Sequence, residues 1–92
     1  MVKTKHSPLT QILKDCHSLE RALKKNSLRK LQLAIEFEYY HYRKNLDRTD
    51  IHIRFEKAFK LLLKYKALTE KSGGVYAINR THYEHFLNLM LK

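Results

Sequence analysis

Arg54, Lys57, Lys60 and Lys64 recur at three- and four-residue spacing. At about 100° per residue, that spacing gathers them on one side of a helix, opposite Phe55, Ala58, Phe59 and Leu62. The chemistry such a row can do is electrostatic. Duplex DNA carries a phosphate charge every ~1.7 Å of axis, so a rigid row of cations can replace condensed counterions. A helix also fits the major groove, where an arginine can contact guanine bidentately. Any solvated helix carries lysines too. The weight falls on binding because Glu56 is the only acid in Arg54–Lys64 and because the whole chain is basic.

Downstream lies Leu68-Thr-Glu-Lys-Ser-Gly-Gly-Val-Tyr-Ala-Ile78, with the chain's only two glycines between two short apolar runs. That pattern predicts a hairpin over 68–79, with strands at 68–71 and 75–79 and Lys71-Ser72-Gly73-Gly74 at its tip. A basic helix running directly into a hairpin resembles the winged helix-turn-helix DNA-binding family, over about residues 45–80. In that family the wing follows the recognition helix, and its tip often touches the phosphate backbone or the minor groove. The resemblance implies that Arg54, Lys57, Lys60 and Lys64 lie on the recognition helix and Lys71, Ser72 and Arg80 on the wing. Two features depart from the family. The helix before the recognition helix is nearly twenty residues long where the family has a short one, and no strand is legible between the first two helices.

Other chemistries find less support. His82 and His85 share a face at i, i+3, with His41 and His52 elsewhere, but no carboxylate or cysteine stands at ligand spacing. The expectation is no metal and no cofactor. Tyr39-Tyr40-His41-Tyr42 resembles the tyrosines of DNA-nicking proteins, which also use two histidines with one residue between them; this sequence has no such pair. Glu36 and Glu38 diverge on a helix. There is no phosphate-cradling glycine loop, no nucleophile elbow and no zinc-protease motif. The expectation is a binding protein without catalysis or a small-molecule substrate. The lone Cys16 has no intrachain disulfide partner and falls on an apolar helix face, as a small buried hydrophobe would.

Ninety-two residues make one domain, and nineteen Lys and Arg against nine Asp and Glu give +10. Few glycines and prolines favour long helices. Residues 1–6 read as a flexible basic terminus and 7–92 as the domain. The fold expected is mainly α with one β-hairpin, winged-helix-like, with four helices at about 8–25, 28–46, 50–66 and 82–91. Ser7-Pro8 opens the first, whose apolar face is Leu9, Ile12, Leu13, Cys16, Leu19 and Leu23; Asn26 suits a left-handed C-terminal position. Ser27 is the expected cap of the second. That helix carries two stripes: Leu28, Leu31, Ile35, Tyr39, Tyr42 and Leu46, then Leu33, Phe37 and Tyr40. The tyrosines at 39, 40 and 42 are expected to bury their rings. Asp47, Thr49 or Asp50 would cap the third helix. Thr81-His-Tyr-Glu84 forms a capping-box pattern for the fourth.

The double apolar surface of helix 2, with that of the last helix, predicts a homodimer. No stretch approaches the ~18 apolar residues of a membrane span, and the N-terminus lacks an apolar leader, so no membrane partner is expected and the location reads as cytoplasmic. The leading expectation is a double-stranded DNA-binding transcriptional regulator. An RNA-binding protein, using exposed aromatics to stack on bases, and a protein-interaction module using helix 2 and the last helix stay open.

Overall fold

A computed structural model describes residues 8–42 and 47–91. The expectations for residues 1–7 and 43–46, and for the side chain of Tyr42, lie outside the described residues. The element order is α1 (Pro8–Lys25), β1 (Leu28–Arg29), α2 (Lys30–Tyr42), α3 (Arg48–Lys64), β2 (Leu68–Lys71), β3 (Val75–Ile78) and α4 (Arg80–Met90). The molecule is mainly α, with a three-stranded antiparallel sheet in the order β1-β3-β2.

The apolar periodicity of the sequence becomes the core. Cys16, Leu19 and Leu23 from α1 meet Leu33 and Phe37 from α2. Ile51, Phe55, Ala58, Phe59 and Leu62 of α3 join them, with Tyr83 and Phe86 from α4. Burying each large side chain contributes roughly 1.5–3 kcal/mol. An aromatic ladder then ties the helices to the sheet. Ring centroids step from Phe37 to Phe55 (5.6 Å), Phe55 to Phe59 (5.5 Å) and Phe59 to Tyr76 on β3 (5.0 Å). Through it, α3 and the hairpin are held as one body.

Several local expectations change. Leu28 and Arg29 are a strand, pairing with Tyr76 and Val75, so Ser27 does not cap a helix. The second helix starts at Lys30, and the Gln32 side chain reaches back to accept from the Arg29 N–H (3.2 Å). That is the returning half of a capping box, with no Ser or Thr in it. Asn26 does not take the left-handed conformation; Lys66 does, at φ 63°. Asp47 precedes α3 without a side-chain cap hydrogen bond. The fourth helix starts two residues earlier than the Thr81 pattern predicts. Its cap is Asn79, whose side chain accepts from the His82 N–H (3.0 Å) while its own N–H donates to the Ala67 carbonyl (2.7 Å). Asn79 thus closes the hairpin and opens α4 at once.

Lys66 sits just past α3. Its N–H donates to the Leu63 carbonyl (3.0 Å) and the Ala67 N–H to the Leu62 carbonyl (2.8 Å), the two bonds of a Schellman ending. A side chain in this backbone region costs roughly 1–2 kcal/mol, which glycine avoids at the expense of a more flexible unfolded chain. Lys66→Gly is therefore expected to stabilise the protein by about 0.5–1 kcal/mol, read as a Tm raised by a few degrees. An unchanged or lower Tm would count against strain at this position.

Candidate nucleic-acid interface

On α3, Lys57, Lys60 and Lys64 are exposed and stand opposite the buried set. At about 100° per residue the three fall within an arc of roughly 60°. Ile53, 52% exposed, continues the same line toward the helix N-terminus. None of the three lysines has a carboxylate partner among the described residues. The acid that the sequence places among them, Glu56, is turned to the flank, where Lys30 Nζ meets it at 3.2 Å while lying 4.8 Å from the Phe59 ring centre.

Arg54 behaves differently. It lies about 80° round the helix from Lys64 at ~100° per residue, on the edge that meets α1. Its Nε and a terminal guanidinium nitrogen donate to both carboxylate oxygens of Asp15, at 3.0 and 2.7 Å. Asp15 is 1% exposed. His41 Nε2 from α2 stands 3.7 Å from the same carboxylate, so one buried acid gathers groups from three helices. The row of four expected from the sequence is therefore three outward lysines and one inward arginine. Asp15 is the residue that sequence reasoning passed over. Its signal was an acid between Ile12 and Leu19 on an apolar face, where a buried charge needs a partner.

The hairpin tip is open to solvent. Lys71, Ser72, Gly73 and Gly74 are all exposed. Both glycines have positive φ, 85° and 74°, and the Gly74 N–H donates to the Lys71 carbonyl (3.2 Å). A Cβ at either glycine would meet nothing within 4 Å, so the requirement for glycine there is conformational. Arg80 is exposed at the first turn of α4, where the helix dipole disfavours a cation. Neither Lys71 nor Arg80 is paired with an acid among the described residues.

The chain matches no family model, no curated protein and no solved structure. Cys16 is fully buried, and its thiol is pushed up to about 12, by burial first and by the neighbouring Asp15 charge second. It stays protonated at neutral pH and is neither nucleophile nor thiolate ligand there. Burial, then the charges of Glu20 and Cys16, push the Tyr83 phenol up as well. Among the described residues no three His, Cys, Asp or Glu side chains converge. No described helix is long and apolar enough to cross a membrane.

Tyr39 and Tyr40 do not bury their rings. They are 74% and 37% exposed, and the stripe Leu31, Ile35, Tyr39 faces outward along α2, while Leu33 and Phe37 supply the core. Sequence reasoning found both stripes. It could not say which of them the rest of the chain covers.

Proposed function

We propose that this chain is a double-stranded DNA-binding protein of winged-helix type, a small cytoplasmic transcriptional regulator without catalytic activity. The observation that carries the reading is the row Lys57, Lys60 and Lys64, outward and without a carboxylate partner among the described residues, on a packed helix that leads into a glycine-tipped hairpin. The element order supports it, since β1 at Leu28–Arg29 supplies the strand between the first two helices that the sequence pattern lacked. Phosphate neutralisation by Lys57, Lys60, Lys64, Lys71 and Arg80 would hold the protein on the duplex, with Ser72 at the tip of the wing. Base edges would be read from the exposed line of α3.

The test is binding of a labelled random-sequence duplex at 50 and 200 mM salt. For about five phosphate contacts, this fourfold rise in salt should weaken binding ~500-fold. Lys57→Glu/Lys60→Glu should abolish binding while leaving the circular-dichroism spectrum unchanged. A native protein that fails to bind even at 50 mM salt overturns the reading.

A second reading rests on α2. Leu31, Ile35 and Tyr39 are 73%, 57% and 74% exposed in one line, and Leu89 and Leu91 at the chain's far end are 41% and 69% exposed. Such a stripe suits a protein partner, a second copy of this chain first, because α2 carries one lysine against two glutamates in an otherwise basic molecule. Sedimentation of the native protein should then show a dimer that Ile35→Lys converts to a monomer. At an exposed site the same change should alter stability by less than about 0.5 kcal/mol. A native protein monomeric at 100 µM, a concentration on the order of those at which stable homodimers persist, removes this reading. The exposed Tyr39 ring supports RNA as an alternative ligand, and competition between duplex DNA and single-stranded RNA ranks the two.

A further inference from the structure

The outer face of α1 carries a second set of cations that the α3 row does not include. Lys14, Arg21, Lys24 and Lys25 are exposed, and none has a carboxylate partner among the described residues. The nearby acid, Glu20, is 8% exposed and is met by His17 at 3.6 Å. His17, Arg21, Lys24 and Lys25 line one open cleft, and Tyr40 of α2 forms its other wall. The Arg21 guanidinium lies over the Tyr40 ring, 5.3 Å from its centre.

Each part of this arrangement suits a phosphodiester. A guanidinium over an aromatic ring is held in place by the ring and keeps N–H donors for phosphate oxygens. Lysines on either side add charge that mutual repulsion would otherwise make unfavourable. Lys24 and Lys25 have a simpler role available, complementing the negative end of the α1 dipole. That role does not account for Arg21 or Lys14, which lie further back along the helix.

The cleft also faces its own direction. Asp15 marks the side of α1 that meets α3. At about 100° per residue, Arg21 lies ~120° round from Asp15 and Lys24 ~180°. The cleft therefore opens on the side of α1 away from α3 and shares no lining residue with the groove between those two helices.

Building on the DNA-binding reading above, we propose that the α1–α2 cleft is a second nucleic-acid site, which holds the phosphate backbone of another duplex segment while α3 holds the first. One molecule then bridges two segments or draws one long duplex round itself.

The test uses the full chain and an immobilised 20-bp duplex. A second, fluorescent 20-bp duplex is added, and its capture is measured. Native protein should retain the second duplex. Arg21→Glu/Lys25→Glu should lower that capture at least tenfold while binding the first duplex within about threefold of native. The control Arg29→Glu/Lys66→Glu removes the same charge outside both rows and should bridge as native does. In a parallel arm, end-to-end energy transfer on a doubly labelled 60-bp duplex separates wrapping from bridging: a rise on binding that Arg21→Glu/Lys25→Glu removes assigns the cleft to the same duplex. The proposal is overturned if native protein binds the first duplex and shows neither response. It is equally overturned if the α1 variant bridges as well as native, as two protomers joined through α2 would, or if the control loses capture to the same extent. Failure of the underlying DNA-binding reading looks different: the immobilised duplex would retain no protein at all.

Discussion

Arg54→Ala is expected to destabilise the protein by about 3–5 kcal/mol, the usual effect of breaking a buried ion pair from one side. Two features decide the magnitude. Asp15 is 1% exposed in the intact fold, so removing Arg54 leaves a desolvated carboxylate without its guanidinium. The contact is also bidentate, at 3.0 and 2.7 Å, the strong form of a charge-assisted bond. An exposed pair would be worth only about 0.2–1 kcal/mol. For a domain of this size the two cases separate cleanly: a Tm drop of at least ~12 °C for the buried pair, against less than ~8 °C for an exposed one.

The effect should be asymmetric. The Arg54 side chain is 17% exposed and can turn toward water if Asp15 is neutralised, so Asp15→Asn should cost less than Arg54→Ala. Removing both charges together, as in Asp15→Leu/Arg54→Met, should recover most of the loss, because the desolvation of both ions disappears with them. Urea denaturation of the four proteins checks the order. If the double variant is as unstable as Arg54→Ala, the pair does not act as a unit and the loss belongs to packing of the arginine stem.

How far the sequence foretold this pair shows where its reach ends. The α1 range and the β2–β3 hairpin were legible because apolar periodicity and the glycine pair are local signals. The two-residue strand β1 was not, since Leu28–Arg29 is too short to show alternation and forms only by pairing with Val75 and Tyr76. The α4 cap was misplaced by two residues because Thr81 and Glu84 satisfy the local pattern, while Asn79 is fixed by a tertiary bond to Ala67. Arg54 was grouped with the lysines for the same reason. Spacing assigns residues to a side of a helix, and only packing decides which edge of that side meets another helix. Tyr39 shows the converse: two apolar stripes were evident on one helix, and nothing local told which one the chain would cover.

The division between Arg54 and the lysines gives the second large expectation. Lys57→Ala/Lys60→Ala/Lys64→Ala should weaken duplex binding on the order of 10³-fold at 50 mM salt, about 4 kcal/mol. It should also lower the slope of log K against log salt by ~2.7, since each lost phosphate contact removes about 0.9. The three side chains are exposed and have no carboxylate partner among the described residues, so the fold should keep its stability within about 0.5 kcal/mol for each. Arg54→Ala should do the reverse, changing stability while leaving the slope as it is, because Arg54 gives its donors to Asp15 and not to phosphate. Measuring slope and stability for both variants separates the cations that face the ligand from the one that holds the helices. If Arg54→Ala lowers the slope by about 0.9, the value of one phosphate contact, Arg54 leaves Asp15 on binding and joins the row that the sequence first drew.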